Sequence, residues 1–145
     1  MELGTLQKAW VKSLRENPDR QMNSRLGKQN EVVNAEFDEP YHACCLGELK
    51  MVHCRLNNLP IVFDKDGFLR DGKDKDIKSK TYLSGSYEQF GLHSSYGKII
   101  GEQIKHRVRE KSYDSLALAN DSGVTWAEIA DFVEANPEKV FSKSV

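Results

Sequence analysis

Leu3, Leu6, Trp10 and Leu14 recur at helical spacing while Lys8, Lys12 and Arg15 turn elsewhere. This predicts an amphipathic helix over about residues 5–16, stopped by Asn17-Pro18. Residues 18–40 are polar and read as loop, with one short strand at Glu31–Ala35. Cys45, Leu46, Leu49, Val52 and Leu56 then fit one helical face and predict a helix over about 43–56. Gly47 should weaken that helix by up to about 1 kcal/mol relative to Ala. Two apolar runs flank Asp66-Gly67 between Ile61 and Arg70, a β-hairpin signal. Asp71–Lys80 is a charged loop, and Ser84–Phe90 a short helix closed by Gly91 in the left-handed conformation.

Further along, Lys98–Ile100 and Glu102–Lys111 read as strands. Tyr113–Asn120 is helical and Gly123 breaks it. Thr125-Trp-Ala-Glu128 is a capping box that starts a second helix carrying Trp126, Ile129, Ala130 and Val133 on one face, ended by Pro137. The pattern gives an α+β fold in one domain, residues 1–145: a small antiparallel sheet with an N-terminal helix and a C-terminal αα-hairpin.

Composition changes this picture little. The chain has 39% hydrophobic and 30% charged residues, an ordinary globular balance, and no apolar run long enough for a membrane span. No basic start followed by an apolar stretch marks a signal peptide. An odd number of cysteines, two of them adjacent, fits a reducing cytoplasm. Charge is unevenly spread. Residues 1–111 hold 19 basic and 16 acidic side chains, and residues 112–145 hold two and six. An anion site is therefore expected in the first 111 residues.

Three constellations could carry chemistry. In Ile104-Lys-His-Arg-Val-Arg-Glu-Lys111, an extended chain would turn Lys105, Arg107, Arg109 and Lys111 to one face at intervals of roughly 7 Å. Such a row suits a phosphate-rich anion, and equally a solvated edge strand protected from aggregation. His106 would face the apolar side, as a packed histidine rather than a base. Leu116–Val133 has the outline of a DNA-reading helical pair, but its second helix holds Glu128, Asp131 and Glu134 with no Lys or Arg, so a duplex would repel it. His42, Cys44, Cys45, His53 and Cys54 match no zinc spacing, and Gly85 to Gly91 lacks the Lys-Ser/Thr of a phosphate loop. No cofactor, metal or catalytic set is expected.

Tyr82, Tyr87, Phe90 and Tyr96 cluster in sequence before the basic segment, and such rings either fill the core or stack a base. On chemistry alone, the candidate ligand residues are Arg107 and Arg109 for a pyrophosphate, Lys105 as helper, and Tyr82, Tyr87 or Phe90 for a base. Arg25 and Arg55 are secondary candidates.

Cys44-Cys-Leu-Gly-Glu-Leu49, Ala119-Asn-Asp-Ser-Gly-Val-Thr-Trp-Ala-Glu-Ile-Ala-Asp-Phe-Val-Glu134 and the opening Leu6-Gln-Lys-Ala-Trp-Val-Lys-Ser-Leu14 resemble landmarks of a family of small phage and prophage proteins. Within it, the likeness is to phage anti-Thoeris sponge proteins of the first type. The resemblance implies a counter-defence protein, in the cytoplasm of an infected bacterium, that sequesters a cyclic ADP-ribose isomer without degrading it. It also implies a homo-oligomer built from dimers, up to a hexamer, with cyclic oligonucleotides as a second ligand class and no enzyme activity or metal; the charge of the second C-terminal helix and the lack of a long apolar run separately lead to no DNA and no membrane partner being expected. Two other expectations stay open: an enzyme that hydrolyses such a signal, and a protein-interaction module that inhibits a host protein through the acidic C-terminal hairpin.

Overall fold

The computed structural model describes residues 1–29, 41–71 and 81–145. Among these it is a mixed α+β fold. Helix α1 (Thr5–Glu16) leads into a 3₁₀ turn (Pro18–Arg20), strands β1 (Gly27–Gln29) and β2 (Tyr41–Ala43), and helix α2 (Cys45–Leu56). Strands β3 (Ile104–Lys105) and β4 (Ser112–Tyr113) precede α3 (Leu116–Asp121), α4 (Trp126–Ala135) and α5 (Pro137–Val140). Strands β1 and β2 pair antiparallel with Lys28 opposite His42, and β3 pairs antiparallel with β4. No helix among the described residues is long and apolar enough to cross a membrane.

The amphipathic pattern of α1 places Leu6, Trp10, Val11 and Leu14 in the core, where α1 packs against both α2 and α4. Trp10 donates its indole N–H to the Cys45 carbonyl at 2.8 Å and meets Phe141 edge-on at 6.0 Å. A fully buried Asn120 ties three segments together. Its Oδ1 accepts from Cys45 N, Gln21 Nε2 and Trp126 Nε1, and its Nδ2 donates to the Met22 carbonyl. A buried polar group costs stability unless it is paired, so this network favours one arrangement of α2, α3 and α4.

The predicted ends of α1 and α4 match the structure within a residue or two. The Thr125 hydroxyl accepts from Glu128 N at 3.2 Å and donates to the Glu128 carboxylate at 3.1 Å. The hairpin at 61–70 is reduced to one bridge, Phe63 opposite Leu69, turned through Asp64–Gly67 with Gly67 at φ +82°. Ser84–Phe90 is not an α-helix. Tyr87 N and Phe90 N each bond four residues back but not in succession, so the segment runs as turns, closed as expected by Gly91 at φ +78°. Lys98–Ile100 contributes a single bridge, Lys98 to Ser115. The expected strand at Glu31–Ala35, and all of the 71–80 loop except Asp71, lie outside the described residues. Asp71 itself is buried, bonded to Lys50 and to Gly85 N.

The largest correction falls on Glu102–Lys111, which is not a continuous strand. Only Ile104–Lys105 pair; the chain then turns, Glu110 adopts φ +53°, and His106 N donates to the Lys111 carbonyl at 2.8 Å. His106 Nδ1 accepts from Val108 N at 3.1 Å and Arg109 N at 3.3 Å. A ring nitrogen within reach of two backbone N–H groups competes with the strand ladder, as short polar side chains do at caps and turns. The alternation therefore never forms a face, and Val108 is 84% exposed instead of turned toward the core.

Gly47 also reverses its expected role. A Cβ there would sit 1.6 Å from the Leu26 carbonyl oxygen, so the glycine lets the backbone before β1 lie directly on α2. Gly47→Ala should destabilise the protein by about 2 kcal/mol or more through this clash, despite alanine's higher helix propensity. Urea denaturation at neutral pH checks it, and a variant as stable as the parent would contradict the close approach.

Candidate functional site

The residues singled out in the sequence do not converge on one place. Arg107 and Arg109 stand exposed on the turn between β3 and β4, and among the described residues their guanidinium groups form no ion pair and stack on no aromatic ring. Lys105 lines an open groove of about 460 Å³ with Glu102, Gln103, Ser112 and Asp114, which carries both signs of charge and no aromatic ring. Phe90 is fully buried and meets the His53 ring at a tilt, with centroids 5.0 Å apart, so it is a core residue. Tyr87 donates its hydroxyl to Glu88. Tyr82 and Tyr96 are partly exposed and meet edge-on at 6.2 Å. Arg25 lies 5.3 Å from the Phe68 ring and donates to the Ser24 carbonyl.

Arg55 belongs to a built cluster. Glu48, on the same face of α2 two turns earlier, has no exposed side-chain surface. Its Oε1 accepts from Arg20 at 2.9 Å, Arg55 at 2.9 Å and the Ser13 hydroxyl at 2.7 Å. The Tyr41 hydroxyl accepts from both arginines and donates to Glu48 Oε2 at 3.4 Å. Arg20 stacks over the Tyr41 ring at 4.6 Å and reaches Asn17 Oδ1 at 3.3 Å. The Arg20 side chain is only 10% exposed, and its Nε–H has no acceptor among the described residues. Arg55 is 44% exposed. Burial pushes the Tyr41 phenol up, with Glu48 adding to the shift, so it is a neutral hydroxyl in the working range. Burial alone would lower Arg55; its bonds to Tyr41 and Glu48 outweigh that and raise it.

This cluster forms the wall of a recess of about 540 Å³ lined by Ser13, Glu16, Asn17, Arg20, Tyr41, Arg55 and Ile61. A smaller groove of about 220 Å³ shares Ser13, Glu16 and Arg55 and adds the apolar surfaces of Ala9, Val52 and Leu56. Two guanidinium groups share one buried carboxylate, so that cluster itself carries one positive charge in excess, with Glu16 also on the recess wall and Lys12 in the adjoining groove. That arrangement can hold a compact anion with a ring or sugar attached. Arg20, Tyr41 and Glu48 are not among the residues singled out from the sequence. Glu48 carried a signal, a carboxylate among the apolar residues of the first turns of the helix and seven residues before an arginine. Nothing local marked Arg20, whose burial comes from packing against Tyr41 and Glu48.

The other constellations are structural. All three cysteines are free, and no group of three or more His, Cys, Asp or Glu among the described residues is arranged to hold a metal. Cys44 caps α2 by accepting from Gly47 N. On the acidic hairpin, Arg15 donates to Asp131 at 2.9 Å and to Glu134 at 2.9 Å, which holds the Glu134 carboxyl below its ordinary value. Two of the acids that a partner would have to recognise are thus engaged within the chain.

Burial pushes the Cys44 thiol up to about 12 and the Cys45 thiol well above its ordinary value. The fold therefore keeps both protonated where the unfolded chain ionises them. Their contribution is complete below the ordinary thiol range and is lost as pH rises from about 9 toward 12. Urea midpoints should fall between pH 8 and pH 11, less steeply in Cys44→Ala; equal slopes for the two proteins would contradict the buried-thiol account.

In comparisons with known proteins, no family model, curated protein or solved structure matches the chain.

Proposed function

We propose that the protein is a binding protein for a compact phosphate-bearing nucleotide signal of the cyclic ADP-ribose class, held unchanged in the recess between α1, the 3₁₀ turn, β2 and α2. The role is that of the phage anti-Thoeris sponges to which the sequence is similar. The observation that carries it is the shared use of buried Glu48 by the Arg20 and Arg55 guanidinium donors in the wall of that recess. Such donors form charge-assisted hydrogen bonds, roughly twice as strong as neutral ones. They are held in place before the ligand arrives, so little ordering is needed on binding.

The recess falls within the few-hundred to about 1,000 Å³ typical of small-molecule sites. The shelf of Ala9, Val52 and Leu56 on the other side of Arg55 supplies apolar surface for a base or the carbon face of a ribose. A sequestering protein must release its ligand slowly, and donors partly shielded from water favour slow release.

Calorimetric titration with cyclic ADP-ribose isomers tests this. Arg55→Ala removes charge-assisted bonds worth about 1.5–3 kcal/mol and should weaken binding roughly 10-fold to 100-fold. Arg107→Ala with Arg109→Ala should change it by less than about 2-fold, as expected for solvent-exposed charges. Heating the complex should return the ligand intact. Absence of binding by the folded parent, recovery of a cleaved product, or sensitivity confined to Arg107 and Arg109 would overturn the proposal.

A further inference from the structure

Ser13, Glu16 and Arg55 line both the larger recess and the smaller groove, so they mark the crossing from one hollow to the other. A phosphate held by Arg20 and Arg55 lies on one side of this crossing, and the shelf of Ala9, Val52 and Leu56 lies on the other. In a nucleotide the sugar joins the phosphate to the base. A ligand that spans the two hollows therefore sets a sugar over the crossing.

The polar groups of the wall differ in what they have left to offer that sugar. The Ser13 hydroxyl donates to Glu48 and accepts from Asn17. Asn17 gives its amide N–H to Ser13 and accepts from Arg20 on its oxygen. The Tyr41 hydroxyl is engaged by both arginines and by Glu48. Glu16 is free of such ties. Among the described residues its carboxylate accepts no hydrogen bond, and its ion pair is a loose 3.8 Å contact with Lys12 between two exposed side chains.

Helix stability gives no reason for an acid at this position. Glu16 is the last residue of α1, where the negative end of the helix dipole disfavours a carboxylate. Lys12 precedes it by four residues, the weaker order for such a pair. Departures of this kind from local preference concentrate where a residue serves a ligand.

Resting on the binding role proposed above, we infer that Glu16 reads a ribose, its two carboxylate oxygens accepting from the 2′- and 3′-hydroxyls of the sugar bonded to the anchored phosphate. A vicinal diol presents two donors side by side, and a carboxylate presents two acceptors. Both bonds are charge-assisted. Acidic side chains take the same part toward the ribose at dinucleotide sites of other folds. Lys12, which also lines the groove, offsets the charge that Glu16 sets near the phosphate. A deoxyribose leaves one carboxylate oxygen without its donor, and a sugar phosphorylated at either hydroxyl brings a negative charge against it. The ligand class narrows to ribonucleotides with both of these hydroxyls free.

ADP and 2′-deoxy-ADP serve as probes, because each has one base, one sugar and one pyrophosphate group and so places its sugar unambiguously. Affinities are measured by calorimetry at neutral pH, with a cyclic ADP-ribose isomer titrated in parallel. ADP should bind at least roughly 5-fold tighter than 2′-deoxy-ADP, as the loss of one charge-assisted bond at an exposed acid would produce. In Glu16→Gln this preference should fall to within about 2-fold. Removing a negative charge acts on both probes alike, so the ratio isolates the hydroxyl contact. Arg55→Ala should weaken both probes and keep the ratio. The urea midpoint of Glu16→Gln should match or exceed that of the parent, since an acid leaves the end of α1.

Equal binding of the two probes by the parent, a ratio unchanged in Glu16→Gln, or no ADP binding by a protein that does bind a cyclic ADP-ribose isomer overturns the ribose reading and leaves the binding role intact. If no cyclic ADP-ribose isomer binds the folded protein, the binding role fails and this inference with it.

Discussion

Glu48 has no contact with solvent, and the surrounding structure is organised to satisfy it. Ser13 from α1, Arg20 from the 3₁₀ turn, Tyr41 from β2 and Arg55 from its own helix converge on its two oxygens. The four partners come from four elements, so the carboxylate fixes their relative placement more tightly than apolar packing alone would. Truncating it would leave Arg20 buried without its counter-charge, a change that costs about 3–5 kcal/mol in comparable buried pairs. The same geometry makes the cluster the proposed place for a ligand. Two guanidinium groups held by one acid line the recess, and the Arg55 side chain is partly open to solvent.

A second buried polar hub, Asn120, works alongside it. The amide bridges the start of α2, the loop at Gln21–Met22 and the indole of Trp126. The 3₁₀ turn that carries Arg20 is therefore anchored on one side by Glu48 and immediately after by Asn120 through Gln21. Gly47 lets the Leu26 carbonyl approach α2 next to Glu48. The recess is thus set by elements locked on several sides, the kind of rigid support that a preorganised binding site requires.

Much of this fold was legible in the sequence because local physics decided it. The apolar stripe of Leu6, Trp10 and Leu14, the stop at Pro18 and the Thr125–Glu128 cap all act within a few residues. Gly67, Gly91 and Gly123 take the positive φ that only glycine adopts cheaply. The site was less legible, for two reasons. Residues 104–111 alternate as a strand should, but His106 offers nearby N–H groups a ring nitrogen, and the chain turns instead. Arg20 looks like any loop arginine, and only the tertiary fold brings Tyr41 and Glu48 around it. Arg55 was identified as a secondary candidate, yet its partner Glu48 passed as an ordinary helix residue because burial is invisible in a single charged letter.

The proposed binding role requires that the Arg20 and Arg55 guanidinium groups, rather than the exposed arginines of the β3–β4 turn, meet the ligand. Side-chain Nε–H resonances of arginine report this directly in a nitrogen–proton correlation spectrum recorded during titration with a cyclic ADP-ribose isomer. The prediction is a slowly exchanging Arg20 Nε–H in the free protein that shifts together with Arg55 as ligand is added, while Arg107 and Arg109 stay in place. Shifts at Arg107 and Arg109 with Arg20 and Arg55 unmoved would contradict it.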